Sequence, residues 1–180
     1  MKFKPSKING VFLIELERRE DERGWFARTW CTSEFAAHGI MPEFSQCSAS
    51  FNHKRGTLRG MHYQAAPFAE EKLVRCTRGA AYDVVLDLRP DSSTYLEWTA
   101  AEITEENGLG LYIPKGCAHG FQTLLDATEI FYTISTPYRA GGERGVRWND
   151  PLFSITWPQA DAPVINPRDM NYPDYCTAPP

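Results

Sequence analysis

From Lys72 to Thr136 the chain alternates short apolar runs with turn-forming residues, and this regularity constrains the fold more than any other feature. The runs are rich in Val, Ile, Tyr, Phe and Thr, which favour strands, while the Gly, Pro, Asp and Asn between them favour turns. Such a succession indicates an all-β barrel or sandwich. The predicted strands are 72–78, 81–88, 94–103, 109–113, 118–125 and 128–136.

The flanking segments extend this pattern. Strands are predicted at 11–16 and 25–30 around a turn at 21–24. A short helix over 34–38 is predicted, capped by Thr32 or Ser33 and stopped by Gly39. A strand at 44–50 presents a polar face, either solvated or ligand-binding, made of Gln46, Ser48 and Ser50. After residue 151 the chain is Pro-rich and irregular, which predicts a tail wrapping the barrel.

Composition restricts the class of protein. A chain of 180 residues without an internal repeat or a linker predicts one domain, 1–180. The net charge of −4 argues against a nucleic-acid partner, and no apolar run approaches the roughly 20 residues of a membrane helix. Five scattered cysteines fit neither a disulfide framework nor a zinc site. With no apolar run after the N-terminal charges, these features predict a cytoplasmic protein without a membrane partner.

The stretch GTLRGMHYQ at 56–64 reads as a strand that carries both Arg59 and His62. Strict alternation would point these side chains to opposite faces. Gly60 lies between them, and a glycine inside a strand often marks a bulge. A bulge would turn the guanidinium and the imidazole toward one cavity. The alternative is an exposed arginine on an edge strand and a hydrogen-bonded core histidine.

Alternation also places four polar side chains on otherwise apolar strand faces. Lys72 shares a face with Val74 and Cys76, and the other three are Asp83, His119 and Tyr132. Because an unpaired buried charge is costly, polar groups that converge in an apolar cavity are candidates for a site. Each also has an ordinary structural interpretation. Lys72 can be a snorkelling surface lysine and Asp83 a partner for a backbone amide. His119 can form a hydrogen bond to a loop, and Tyr132 can be a packed core tyrosine.

A metal site is not predicted. Barrel metalloenzymes of the cupin type use two histidines that alternate on one strand, with a carboxylate and a distant histidine. Here the strand reads His62, Tyr63, Gln64, and His53 lies well upstream. First-row metals need a compact set of imidazole or carboxylate ligands, which this spacing does not supply.

Several ordered motifs resemble the dTDP-4-dehydrorhamnose 3,5-epimerase family. They are DERGWF (21–26), GTLRGMHYQ (56–64), KLVR (72–75), DVVLDLR (83–89), IPKGCAHGF (113–121) and ERGVRWNDP (143–151). The resemblance runs in order from about residue 11 to 169. It implies a metal-free, cupin-like jelly-roll barrel with short flanking helices and an irregular C-terminal tail. It also implies a homodimer that exchanges N-terminal strands, within about residues 1–50.

The resemblance implies epimerisation of the carbons that flank the C4 ketone of a nucleotide-linked 6-deoxyhexose, without a cofactor. Such a C–H bond can be deprotonated by an aligned base if the enolate oxygen is stabilised. Inversion then requires a proton from the opposite face. The resemblance implies that His62 is the base with Asp169 as its carboxylate partner, that Tyr132 is the acid, and that Lys72 is the cation beside the enolate. It implies that Asp83 and His119 line the pocket and that Arg59 binds the diphosphate. At the nucleotide end it implies Gln46 and Ser50, with Arg23 and Phe26 of the partner chain.

Three positions depart from the family pattern. Many members carry an acidic residue at the place of Arg28, an asparagine at Ser48 and a lysine near Thr133 or Ile134. These positions concern nucleotide and sugar recognition more than proton transfer. They leave open a different nucleotide or 4-keto sugar, a single-site 3- or 5-epimerase, or a ketoisomerase. A cupin that binds sugar nucleotides without catalysis is the alternative of another class.

Overall fold

The described residues, 1–40 and 43–176 of a computed structural model, form thirteen strands and two short helices. In chain order they are β1 (Lys2–Pro5), β2 (Phe12–Glu15), β3 (Arg19–Asp21), β4 (Gly24–Phe26), α1 (Thr32–Ala36), β5 (Gln46–Asn52), β6 (Leu58–Gln64), β7 (Lys72–Arg78), β8 (Ala80–Asp87), β9 (Trp98–Thr104), β10 (Gly110–Ile113), β11 (Cys117–Thr123), β12 (Thr128–Ile134), β13 (Glu143–Gly145) and α2 (Pro167–Met170).

Two antiparallel sheets make up the barrel. One has the strand order β1-β2-β10-β7-β12-β5 and the other β13-β6-β11-β8-β9, while β3 and β4 form a separate hairpin. From β5 to β13 every connection except β8–β9 carries the chain from one sheet to the other. This crossing pattern is that of a jelly roll, as the resemblance implied.

Apolar side chains fill the space between the sheets. Val74 and Ile130 of the first sheet meet Val85 and Phe121 of the second, all at most 1% exposed. Residues of this shape pack well on pleated, buried strand faces. Burial of such a side chain contributes on the order of 2 kcal/mol, so this core holds the walls of the barrel in place.

The C-terminal segment covers the outer face of the second sheet, as predicted. Phe153 and Trp157 pack against Val84 and Leu86 of β8. The segment is also tied by hydrogen bonds, since the Trp157 indole donates to the carbonyl of Trp148 at 2.8 Å. It is not wholly irregular, because α2 interrupts it. Asn166 caps this helix and Pro167 begins it, a helix-start signal readable from sequence.

Most predicted strands have bounds within two residues of the observed ones. Two strands and the helix with its cap need correction. The strand predicted at 25–30 ends at Phe26, because it belongs only to the β3–β4 hairpin. The helix predicted over 34–38 begins at Thr32 with Cys31 in the cap position, and it ends at Ala36. Neither Thr32 nor Ser33 caps it. The strand predicted from residue 94 begins at Trp98, because Asp87 draws the preceding residues into a turn.

Three strands, β1, β3 and β13, were not predicted. β3, with the sequence RED, is a strand only through its pairing with β4. The other two share a reason. β1 and β13 are short edge strands with the sequences KFKP and ERG, which have little β-propensity. They are strands because they pair with β2 and β6. Within 1–40 and 43–176, no helix is long and apolar enough to cross a membrane.

Candidate active site

The pairing of β12 with its two neighbours arranges polar side chains in rows on the inner face of the first sheet. Ile134 lies opposite Gln46 on β5 and Lys72 on β7, and Tyr132 lies opposite Ser48 on β5. Because side chains repeat every second residue along a strand, both rows face the same way. Tyr132 packs against the apolar core between the sheets, so this face is the inner one.

A bulge in β6 shapes the facing wall. His119 of β11 pairs with His62, but Phe121 pairs with Arg59, so three steps on β6 match two on β11. Gly60 occupies the bulge with φ +139°, and a Cβ there would lie 2.5 Å from the Cα of Gly120. The predicted bulge is therefore confirmed. It turns both Arg59 and His62 toward one cavity.

This cavity lies between the sheets and has a volume of about 360 Å³. Polar groups from both sheets and from two loops converge on a partly apolar wall, as in most small-molecule sites. Its lining residues are Gln46, Ser48, Ala49, Ser50, Arg59, His62, Tyr63, Gln64, Glu70, Lys72, His119, Phe121, Tyr132, Ile134, Tyr138, Glu143, Arg144 and Arg168.

His62 is held by a buried carboxylate. Its Nε2 lies 2.8 Å from Oδ1 of Asp169, whose side chain is 1% exposed, whereas that of His62 is 38% exposed. The backbone N–H of Gly60 donates to Oδ2 of Asp169 at 3.2 Å. Burial opposes ionisation of Asp169, but the hydrogen bond and charge of His62 outweigh it and lower its pKa. The pair fixes the ring and leaves Nδ1 as the nitrogen that can exchange a proton with a ligand.

A second imidazole–carboxylate pair stands next to the first. His119 Nε2 lies 2.8 Å from Oδ1 of Asp83, and both side chains are at most 5% exposed. The ring of His119 faces the cavity edge-on to the ring of Tyr132, with centroids 6.1 Å apart. Asp83 lies behind His119. This arrangement favours a fixed hydrogen-bonding role for His119, because its ring is far less accessible than that of His62.

Tyr132 faces the same cavity as His62 from the opposite sheet. Burial raises the pKa of its phenol, and the negative charge of Asp83 raises it further. Arg59 and the Ser50 hydroxyl act in the opposite direction but do not offset burial. The phenol is therefore neutral at physiological pH and can donate a proton.

The charges that line the cavity are unequal in number. Among the described lining residues, four side chains are cationic and two are carboxylates. Lys72 pairs with Glu70 at 2.9 Å and Arg168 pairs with Glu143 at 2.8 Å. Within the described part of the chain, Arg59 and Arg144 form no ion pair with a carboxylate. Two guanidinium groups thus remain for an anionic ligand, for which their planar, forked donors are suited.

Comparison with known proteins gives a consistent result. The family model described as dTDP-4-dehydrorhamnose 3,5-epimerase matches residues 5–176. The chain belongs to the dTDP-4-dehydrorhamnose 3,5-epimerase family. A relative of that name from Sinorhizobium fredii is 40% identical over 99% of this chain and 92% of its own length.

Solved structures of this epimerase family share the fold. The structure from Bacillus anthracis, with TDP and PPi bound, superposes with a TM-score of 0.93 at 34% identity, covering 97% of this chain and 99% of that one. A 3'-monoepimerase from Streptomyces bikiniensis in complex with dTDP-quinovose gives a TM-score of 0.87 at 32% identity, covering 94% and 86%.

Seven of the residues that the family resemblance indicated line the cavity of this chain: Gln46, Ser50, Arg59, His62, Lys72, His119 and Tyr132. Two others, Asp83 and Asp169, stand directly behind its histidines. Arg23 and Phe26 lie elsewhere. They belong to the β3–β4 hairpin, where the Arg23 side chain is 82% exposed and Phe26 is 71% exposed.

Some cavity residues were not anticipated. Glu70 could have been found by alternation, because it lies two positions before Lys72. Tyr138, Glu143, Arg144 and Arg168 are supplied by a loop, β13 and α2, where no hydrophobic periodicity points to them. Among residues 1–40 and 43–176, no cluster of three or more His, Cys, Asp or Glu side chains is placed to hold a metal ion.

Proposed function

We propose that this protein inverts C3 and C5 of a dTDP-linked 4-keto-6-deoxyhexose, converting dTDP-4-dehydro-6-deoxyglucose to dTDP-4-dehydrorhamnose. The observation that carries the proposal is the presence of a carboxylate-bound imidazole and a neutral phenol on opposite walls of one cavity. This is the pair of groups that inversion at a carbon requires, a base on one face and an acid on the other.

The reaction consists of proton transfers. Nδ1 of His62 removes the proton from the carbon next to the C4 ketone, and the electron pair of the C–H bond delocalises onto the C4 oxygen. Lys72 stabilises the negative charge on that oxygen. Tyr132 then delivers a proton to the opposite face of the carbon, and solvent restores both side chains. One C–H bond breaks and one C–H bond forms at each carbon centre. The reaction is therefore redox-neutral and requires no electron acceptor.

The cationic surplus of the cavity supports a nucleoside diphosphate as the rest of the substrate. Arg59 is the proposed diphosphate ligand, and its side chain is already oriented by a 2.8 Å hydrogen bond from Nε to Oδ1 of Asn52. Its two terminal nitrogens can then bind phosphate oxygens in a forked geometry. Gln46 and Ser50 are proposed to bind the nucleotide.

A homodimer is proposed to complete this nucleotide end. The hairpin of β3 and β4 exposes Trp25 and Phe26, and exposed aromatic residues of this kind are enriched at interfaces. In the proposed dimer, strands within about residues 1–50 are exchanged and carry Arg23 and Phe26 to the site of the partner subunit.

Location in the cytoplasm stays a prediction from the scattered cysteines.

Hydrogen exchange from solvent tests the reaction directly. The protein is incubated in D2O with the dTDP-4-keto-6-deoxyglucose substrate, and the products are analysed by NMR. Deuterium at both C3 and C5, with inverted configuration, is the expected result. Tight nucleotide binding without carbon-bound deuterium would instead identify a non-catalytic binding protein.

Single-site epimerisation is the second candidate. The fold is shared with a 3'-monoepimerase, and this chain departs from the family pattern at Arg28, Ser48 and Thr133. Deuterium at C3 alone would favour that activity over the double epimerisation. A parallel binding screen with dTDP, GDP, CDP and UDP would define the nucleotide.

A further inference from the structure

We propose that Glu70 is a positioning residue that holds the Lys72 ammonium at the place where the enolate charge develops. This inference rests on the proposed function and assigns a role to a residue outside the predicted set. Oε1 of Glu70 lies 2.9 Å from Nζ of Lys72, and the two side chains are only 10% and 12% exposed. Both line the cavity.

The carboxylate of Glu70 is itself fixed. Its second oxygen accepts a hydrogen bond from Nε2 of Gln64 at 2.6 Å. Gln64 is 5% exposed and ends β6, the strand that also carries His62. Glu70 therefore links the lysine of one sheet to the strand that bears the proposed base on the other.

The backbone on either side of Glu70 is anchored as well. The Thr136 hydroxyl donates to the carbonyl of Ala69 at 3.1 Å, and the N–H of Glu71 donates to the Ser135 hydroxyl at 2.8 Å. The pairing continues in the other direction, because the N–H of Ser135 donates to the carbonyl of Glu71 at 3.0 Å. A loop secured at both neighbours of Glu70 presents its side chain in a defined place.

A lysine needs such a partner to act at one position. Its four-carbon stem is flexible and its ammonium has three donors. One donor directed at Glu70 restrains the nitrogen, and the remaining donors can reach a ligand oxygen. Catalysis depends on this kind of restraint, since a displacement of about 1 Å can cost roughly a hundredfold in rate.

The first test compares steady-state kinetics of Glu70→Ala, Glu70→Gln and the wild type on the dTDP-4-keto sugar. Glu70→Ala is expected to lower kcat by roughly ten- to a hundredfold, while KM changes little, because only the transition state carries the enolate charge. Glu70→Gln should recover part of the loss, because its amide oxygen can still accept from Lys72. Glu71→Gln removes the same charge at the adjacent position, which is not among the described residues that line the cavity, and should behave like the wild type.

A double-mutant cycle separates positioning of Lys72 from a general structural effect. In a Lys72→Met background, Glu70→Ala should cause no further loss of kcat. An equal loss in both backgrounds would overturn the proposal, as would wild-type kcat for Glu70→Ala. Thermal unfolding of each variant shows whether the fold is retained.

A crystal structure of Glu70→Ala provides a readout that does not depend on turnover. Loss of a single defined position for the Lys72 side chain supports the proposal, and an unchanged ammonium position overturns it. If the wild type turned over none of the sugar nucleotides offered, the proposed function would fail, and this measurement would still decide whether Glu70 positions Lys72.

Discussion

At the scale of single residues, the two imidazole–carboxylate pairs of the cavity differ mainly in accessibility. The His62 side chain is 38% exposed, whereas that of His119 is 5% exposed, although each bonds a buried aspartate at 2.8 Å. A base must approach a carbon atom of a bound sugar, so the accessible ring is suited to proton abstraction. The enclosed ring is suited to a fixed hydrogen bond.

The phenol of Tyr132 is predicted to act after the base. Tyr132→Phe removes the proton donor but leaves His62 and Asp169 in place, so exchange of the first C–H hydrogen with D2O should continue while inversion falls by roughly 10²- to 10⁴-fold. NMR of the sugar ring measures both quantities in one sample. His62→Ala is the matched control, and it should abolish exchange as well while dTDP still binds. Wild-type inversion by Tyr132→Phe would show that another group is the acid.

At the scale of elements, the bulge of β6 decides whether Arg59 faces the same cavity as His62. It requires a residue with φ +139° and no Cβ, since the Cα of Gly120 would lie 2.5 Å away. Glycine is the residue that meets both requirements.

Gly60→Ala is therefore expected to lower the free energy of unfolding by more than the roughly 1–2 kcal/mol that a left-handed conformation alone costs. The excess arises because β6 and β11 must separate, and epimerase activity should fall with it. Gly39→Ala is the control, because Gly39 also has a positive φ, +74°, but no atom of the described residues lies within 4 Å of its Cβ position. Urea unfolding of both variants measures the difference, and equal losses would contradict the steric argument.

Asp87 fixes the backbone conformation at the end of β8. Its side chain is fully buried and accepts hydrogen bonds from Arg89, Ser92 and Thr94. Burial alone would raise the pKa of Asp87, but these hydrogen bonds outweigh it and lower the pKa to about 2. The carboxylate thereby shapes the turn that leads into β9.

The low pKa of Asp87 predicts a pH-dependent stability. A carboxyl group whose pKa falls on folding stabilises the protein above its unfolded value of 3.8, and this contribution disappears as pH falls toward about 2. Its size is roughly 2 kcal/mol. Asp87→Asn should therefore be destabilised at pH 7 and should lose less stability than the wild type between pH 4 and pH 2. Chemical denaturation across that range measures this effect, and Asp91→Asn, at an exposed position in the turn that follows β8, is the control.

At the scale of the whole molecule, the cavity of one chain contains the proposed base and acid but not Arg23 or Phe26. Those side chains are exposed on a hairpin that belongs to neither barrel sheet. We propose that these two side chains reach the cavity of a second copy of the chain. In a twofold-symmetric dimer each contact occurs twice, so the two hairpins would complete both cavities.

Subunit complementation tests this arrangement. His62→Ala and Phe26→Ser subunits should each be nearly inactive as homodimers. When they are unfolded and refolded together, half of the dimers are mixed, and each mixed dimer contains one intact site if Phe26 acts in trans. Activity should then reach about a quarter of that of the wild type. If Phe26 acted within its own chain, the mixture would show no recovery. Light scattering gives the oligomeric state of each sample.

The strand pattern, the β6 bulge and the inward faces of Lys72, His119 and Tyr132 could be predicted from sequence, because period-two alternation and glycine conformation are local properties. The motifs also indicated the family, whose membership the comparisons confirm. Boundaries were less predictable where a distant carboxylate or a neighbouring strand overrides local preference, as at residues 94–97 and in β1 and β13.

The local sequence pattern did not indicate which distant side chains meet, and only the family resemblance paired His62 with Asp169. Asp169 lies 107 positions after His62 in the chain, and Glu143, Arg144 and Arg168 reach the cavity from short or irregular segments. Nothing in their local sequence specifies a direction, because segments without a regular period take their course from what they pack against. The chain's own pattern thus determined the barrel and the strands that carry the base and the acid. Packing of the C-terminal segment determined the carboxylate that orients the base and the charges around it.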